Sequence, residues 1–549
     1  MFFIVQLSQL IGFFLLMIFS ISCGSANKSI TIISNPAGSL IESRTTHSDL
    51  FVVSGNVDLK GQSIALPEFS VLDLRNGSIR NGTLILNNTE IRCKDTQGLN
   101  CDIQGECSNK KLVVNNKQYG ANQIAALGGN AECILKSDLT ITKPLAVRCS
   151  IKGTGCPRIN SEESIVLLNL MSSNIKLHNL NLEINGDSRD THCYAIRATD
   201  VGNIQLKELI VNGGSVYFRN KNDVDYHNYE ISNCSFIIDH SKCNQSFEKQ
   251  NDAFEFRGVQ NVLFHDNTIT TTNVTRVFKT PAGGVANTPC DNLVFYNNVI
   301  QSISVNGKQV FDFYNYTRNV TIKNNVIIAK GHTDIFENKT IGDASFLNVI
   351  IEGNTVEYGY TLLYFNLSKE SNNSLIVRNN RFSSTSSDGT RTSVQYDTII
   401  TNKRLYDINL RNLHTVIFED NTFYSIGYVD SRLFYIEDIH CISLNKNVFS
   451  GSWKNIAWFN RNINDVEVVD NIETVSIKTI KEPVVVLSSA NVNCFKSFRN
   501  EFKGRGGAHY LLQNESEIKR AEIQEEGRLK QKDLFLDKGK SKIINYIVR

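Results

Sequence analysis

The feature that most restricts what this chain can fold into is a repeat. A β-branched strand, one or two polar residues, an Asn and a further apolar pair recur as NVLFHDNTI (261–269), NLVFYNNVI (292–300), NVTIKNNVI (319–327), NVIIEGNTV (348–356), SLIVRNNRF (374–382), TVIFEDNTF (415–423) and CISLNKNVF (441–449), and more weakly as DVEVVDNIE and CFKSFRNEF. The aligned residues are Asn267, Asn298, Asn325, Asn354, Asn380, Asn421, Asn447, Asn471 and Asn500, at intervals of 31, 27, 29, 26, 41, 26, 24 and 29 residues. Fainter copies reach upstream through Asn179 and Asn233. A unit repeated at this period cannot bury its apolar face alone, so successive copies stack. Each repeat then forms one coil of a solenoid, with parallel strands about 4.8 Å apart around one continuous apolar interior. An Asn at the same corner of every coil tolerates a left-handed turn and can bond its neighbours above and below. An antiparallel sandwich would have to produce these nearly even intervals by accident.

Composition agrees with a β-rich solenoid. Seven Pro and three Met in 549 residues, with Ile, Val, Thr, Phe and Tyr in short runs, favour strands over helices. Such a length would ordinarily mean several domains, but in a solenoid each coil extends the same core. Hydrophobic residues at 41% and charged residues at 20% describe a water-soluble chain. A net charge of +2 predicts no strong field for nucleic acid or a membrane surface. Residues 1–22 hold the apolar stretch Ile11 to Ile21 before small and polar residues, the layout of an export signal, although no Lys or Arg precedes it. Export would make the chain periplasmic, cell-surface or secreted. Ser20-Ile21-Ser22-Cys23 loosely matches a bacterial lipobox, which would make Cys23 a lipid-bearing first residue and the one attachment to a membrane; simple cleavage is the alternative. No transmembrane helix is expected afterwards.

The 12 cysteines beyond Cys23 are compatible with disulfides, and Cys93, Cys101 and Cys107 are close enough in sequence for one local bridge. Buried thiols are the other reading. No C-x-x-C pair occurs, so a zinc site is not expected. The expected organisation is a cap with the first coils over 30–150, a parallel β-helix over 151–510, and a charged tail over 511–549 that is helical or loose.

NVDLKGQSIALPEFSVLDLRNGSIRNGTLILNNTEI (56–91) looks like the opening coils of exported bacterial and phage-tail β-helix proteins, and KGTGCPRI (152–159) looks like the step that begins their regular solenoid. On these segments and the repeat, residues from about 30 to 510 resemble the pectate-lyase-like superfamily of right-handed parallel β-helices. The resemblance implies an all-β, right-handed single-stranded parallel β-helix that works on polysaccharide. It specifies no reaction, since that superfamily includes lyases, hydrolases, esterases, epimerases and adhesins.

Each coil carries a second short strand. Taking Ile196, Phe218, Phe256, Phe278, Phe313, Phe336, Phe365, Ile436 and Phe459 as inward places Arg197, Arg219, Arg257, Lys279, Tyr314, Glu337, Asn366, Glu437 and Asn460 in one outward column. The neighbouring outward column holds Tyr217, Glu255, Asp312, Tyr364, Tyr435 and Trp458, interrupted by Val277 and Ile335. Four consecutive basic residues about 5 Å apart repel unless an anion or flanking carboxylates compensate them. An anionic polysaccharide is therefore the expected partner, held by Arg197, Arg219, Glu337 and the aromatic rings of Tyr217, Tyr364, Tyr435 and Trp458. A salt-bridge ladder with Glu255 and Asp312 is the internal alternative.

Two mechanisms fit coils 253–314. In a lyase, Arg257, Lys279 or Arg276 neutralises a uronate carboxylate while a second basic residue or Tyr314 takes the C5 proton. In a hydrolase, Asp252, Glu255 and Asp312 supply the general acid and base. The Asp-Asp and Gly-His-Gly motifs of polygalacturonase-like hydrolases are absent, and clustered Asp ligands of a calcium-dependent lyase are not evident, so no cofactor, calcium included, is indicated. His227, His240, His265 and His332 are scattered and read as surface or turn residues. A non-catalytic glycan-binding or adhesin-like surface protein is the second functional reading.

Overall fold

The computed structural model describes residues 30–33, 50–185, 193–221, 226–241, 252–281, 288–313, 317–339, 348–367, 372–385, 390–395, 398–403, 406–474, 482–503, 509–524, 535–538 and 540–548. The export stretch, Cys23 and Tyr314 lie outside the described residues. Apart from a helix at Gly120–Ala125 and a 3-10 turn at Thr96–Gly98, the regular structure is strand. Among the described residues strand pairing is parallel except for one antiparallel pair, Thr390–Gln395 with Thr398–Lys403. The all-β, right-handed parallel β-helix expected from the sequence is the fold observed. Among the described residues no helix is long and apolar enough to cross a membrane.

The chain divides into two compact units, residues 1–186 with 194–212 and residues 187–193 with 213–549. In the first, strands Ile30–Ile33, Leu50–Asp58, Ser63–Ala65, Val71–Arg92 and Leu99–Cys107 form a parallel sheet. Three strands per coil follow: Ser150–Gly153 pairs with Lys176–His178, Arg158–Ser161 with Asn181–Ile184, and Val166–Leu170 with Tyr194–Thr199. The KGTGCPRI turn needs its first glycine because a Cβ on Gly153 would run into the Asn179 carbonyl. Among the described residues the cysteines are free thiols, six of them buried, and the expected local bridge is not formed. Cys101 and Cys107 lie six residues apart in one extended strand, roughly 20 Å, far beyond disulfide reach. Burial pushes the Cys101 thiol up to about 12, which leaves it unreactive.

In the second unit the repeat is visible residue by residue. The nine aligned Asn residues are all buried. Each side-chain carbonyl accepts from the backbone N–H and the amide of the preceding ladder Asn, at 2.8–3.1 Å along Asn267 to Asn500. The amide also donates to a backbone carbonyl of the coil before, as Asn325 does to Phe295 at 3.0 Å. The left-handed turn falls one residue earlier than expected, on Asp266, Asn297, Asn324, Gly353, Asn379, Asp420, Lys446, Asp470 and Arg499, with φ from 52° to 67°. Asn179 and Asn233, at φ 55° and 54°, align with that turn position and not with the ladder. Cys234 takes the ladder place after Asn233, its backbone N–H donating to Asn267 Oδ1 at 2.9 Å. Turning and laddering are thus divided between two consecutive residues, since an αL residue suits the corner while the inward amide needs its own backbone N–H in the ladder.

The 41-residue interval between Asn380 and Asn421 contains the antiparallel hairpin 390–403 in addition to a regular coil strand, Tyr406–Arg411. Where the tail beyond 511 is described, it is built of strands and not of the expected helical or loose structure. Glu517–Gln524 pairs in parallel with Val485–Phe498 and with Lys542–Val548. Ile518, Ala521 and Ile523 are buried within it, and stacking overrides local propensity.

The interior is filled by stacked rings: Phe254, Phe278, Phe311 and Phe336 follow one another at centroid distances of 5.0, 4.8 and 5.4 Å. Phe256, fully buried, touches Phe218 and Phe295 at 5.7 and 6.4 Å. Phe256→Ala is expected to destabilise the second unit by about 3–5 kcal/mol, read as a fall in the denaturant midpoint.

Candidate functional site

Strand stacking decides which outward side chains are neighbours. In the second unit one outward column runs Tyr217, Glu255, Lys279, Asp312, Glu337, Tyr364, Asn409, Tyr435, Trp458 over nine successive coils. This corrects the expected alignment. Phe278 stacks on Phe254 and Phe311, not on Phe256 and Phe313, so Lys279 and Glu337 join the column of Glu255 and Asp312. The run of four basic residues is therefore not formed. Arg219 and Arg257 remain neighbours. Arg197 belongs to the first unit, beside Asn169.

The charge of Arg257 is compensated from within. Arg257 holds Glu255 through Nε at 2.9 Å and Nη2 at 2.7 Å. Burial and the adjacent Glu255 raise the Tyr217 phenol above its ordinary value.

A second set of side chains, at the corner where each strand begins, runs Asp252, Arg276, Gln309, Asp334, Thr361, and all are buried. Arg276 ties the two sets together. Its Nη1 lies 3.2 Å from Asp252 Oδ1, and its Nε lies 3.1 Å from Gln309 Oε1 and 2.6 Å from Asp312 Oδ2. Lys279 Nζ reaches Asp252 Oδ2 at 3.2 Å. Burial raises the Asp312 carboxyl to about 6; Arg276 and Lys279 oppose the rise, while Glu337 and Asp252 add to it. For Arg276, burial alone would lower the guanidinium, but Asp252 and Asp312 together hold it above its ordinary value.

Further along the same column the chemistry becomes aromatic. Tyr406 lies 5.7 Å from Tyr435, Arg411 sits 5.2 Å over Tyr435, and Arg432 sits 3.8 Å over Trp458. Glu437 accepts from the Tyr435 hydroxyl at 3.1 Å and lies 2.7 Å from Arg461, while Asn460 donates to that hydroxyl at 3.0 Å. Tyr364, Tyr406, Tyr435 and Trp458 are partly exposed, which leaves ring surface for a ligand. Sequence reasoning passed over the coil of YDINLR (406–411), and with it Tyr406, Asn409 and Arg411; its signal was the inward pair Ile408 and Leu410 at the usual alternation. Gln309 and Asp334 were missed because corner residues fall outside that alternation. Among the described residues no group of three or more His, Cys, Asp or Glu side chains is placed to hold a metal ion.

The fold and this column together define a parallel β-helix that carries a buried charged cluster continuous with an aromatic shelf. No protein-family model matches the chain, and no curated protein matches it. Among solved structures it is similar to a variant of the catalytic domain of a GH87 alpha-1,3-glucanase in complex with nigerose, at 10% identity and a TM-score of 0.34, covering 68% of this chain and 66% of that one. The chain thus spans just under two thirds of that domain. It is also similar to a variant of the tailspike protein of E. coli bacteriophage HK620 in complex with pentasaccharide, at 10% identity and a TM-score of 0.24, covering 91% of this chain and 72% of that one. Neither likeness assigns a reaction.

Proposed function

We propose that this is an exported carbohydrate-active protein, and that it is a glycoside hydrolase whose general acid is Asp312. The observation that carries the reading is the pair of carboxyls, Asp312 and Glu337, on adjacent coils of one outward column, where burial pushes Asp312 up to about 6. A carboxylic acid that keeps its proton near neutral pH is what protonation of a glycosidic oxygen requires. Adjacent coils lie about 4.8 Å apart, and two carboxyls on neighbouring coils suit the close pairing of about 5–5.5 Å in a retaining mechanism better than the wider inverting one. Glu337 is then the nucleophile, and Tyr364, Tyr406, Tyr435 and Trp458 carry the sugar units beyond the cleaved bond. The lyase reading is weaker here, because Arg276 and Lys279 already pair with Asp252, and Arg257 with Glu255.

Binding without catalysis is the second reading, and the pairing of the buried carboxylates is what favours it. The two separate in one assay: incubate the chain with neutral and uronate-containing polysaccharides and follow reducing ends together with absorbance at 235 nm. New ends without absorbance, and a product that retains its anomeric configuration, are the expected result. Absorbance would mean a lyase. Silence across the panel with glycan still bound would leave the binding protein.

A further inference from the structure

The second strand of each coil carries an anomaly on its outer face. Alternation places Leu263, Val294, Thr321, Ile350, Ile376 and Ile417 outward on six successive coils, in register with one another. None of the six is buried, and Leu263 is 36% exposed. An outward position on a solvated face should be polar, and five of these six are aliphatic. On one side the stripe is edged by hydrogen-bonded Asn261, Asn292, Asn319 and Asn348. On the other side it is edged by Lys323, Glu352, Arg378 and Glu419, also on successive coils.

We propose that this face is an interface between two copies of the chain, related by a two-fold axis that runs antiparallel solenoids against each other. The argument is charge complementarity. The edge reads plus, minus, plus, minus along the coils, and reversing it about its midpoint sets Lys323 opposite Glu419 of the second copy and Glu352 opposite Arg378. The same rotation lays Ile350 on Ile376 and Thr321 on Ile417, so one patch is complementary to itself, as a two-fold interface requires. Within one copy Glu352 already lies 3.7 Å from Lys323 and 3.1 Å from Arg378, which keeps the edge ordered before association. The four coils from Thr321 to Ile417 that face one another across the axis, at about 4.8 Å each and a strand width of roughly 20 Å, cover roughly 380 Å² per copy, so the dimer is a weak one that forms with rising concentration. This surface is separate from the charged column and aromatic shelf, and association leaves the proposed hydrolytic site unchanged.

The test is sedimentation velocity of the full chain over a range of concentrations, with thermal melting as the folding control. The wild type is expected to dimerise. Ile350→Lys with Ile376→Lys should give a monomer that melts as the wild type does. Glu352→Arg alone sets Arg against Arg across the axis and should weaken association at least about tenfold. Adding Arg378→Glu to it should restore the dimer, because the pair is then reversed on both copies. A wild type that stays monomeric at every concentration, a dimer indifferent to the two lysines, or a double reversal that fails to restore association would each overturn the proposal.

Discussion

Asp312→Asn is expected to lower turnover on the cleaved polysaccharide by about 10²–10⁴-fold, the usual contribution of a positioned general acid, while substrate binding on the aromatic shelf persists. The wild type should be most active below pH 6 and lose roughly tenfold per pH unit above it, because only protonated Asp312 donates. The same group leaves a mark on stability. Its carboxyl is raised from 3.8 to about 6, so between those values the folded chain holds a proton that the unfolded chain has released. The favourable contribution is complete below about 3.8 and is lost as pH rises through 6, a change of about 3 kcal/mol at roughly 1.4 per unit. Denaturant unfolding of wild type and Asp312→Asn should therefore show a stability difference that shifts against the wild type by about that amount between pH 4 and pH 7. A difference that stays constant with pH would remove the raised carboxyl, and the acid role with it.

The second large effect is in the Asn ladder. Asn354 accepts from the backbone N–H and amide of Asn325 at 2.8 and 3.0 Å and donates to the carbonyl of Ile322 at 2.9 Å. Asn354→Ala takes a partner from three buried groups at once: the Asn325 backbone N–H, the Ile322 carbonyl and the Asn325 amide, which keeps only the Phe295 carbonyl. At about 1–3 kcal/mol for each orphaned group, the loss is on the order of 3–6 kcal/mol. Asn348, six residues away in the same coil, makes its bonds at the surface with Asn319 and Ser374, and water replaces them when it is removed. Asn348→Ala should cost less than about 1 kcal/mol. Equal midpoints for the two variants in equilibrium unfolding would mean that the ladder contributes nothing beyond turn chemistry.

Much of the site was legible before the structure. Tyr217, Glu255, Asp312, Tyr364, Tyr435 and Trp458 were read as one column and are one column. Lys279 and Glu337 were assigned to the wrong one. The error comes from the doublets Phe254 with Phe256 and Phe311 with Phe313: residues two apart point to the same side of a strand, so alternation cannot say which of them meets Phe278. A slip of two residues keeps every side chain on its correct face and still changes its neighbours. That slip turned an ion-paired set into an apparent basic ladder and, with it, an internally balanced site into an apparent demand for an anion.

What the amino-acid sequence determined by itself was the solenoid: the period, the Asn ladder, the strand alternation and the apolar interior all follow from local chemistry repeated in every coil. The tertiary structure alone decided how the coils sit on one another. The connections between strands vary in length, from the compact corners before each ladder Asn to the hairpin at 390–403, and they absorb residues without trace in the strand pattern. Register is set where the coils touch, by phenylalanine rings stacked near 5 Å and by Arg276 bridging Asp252 and Asp312 across coils. The charge of a column, and so the chemistry it can perform, depends on that register.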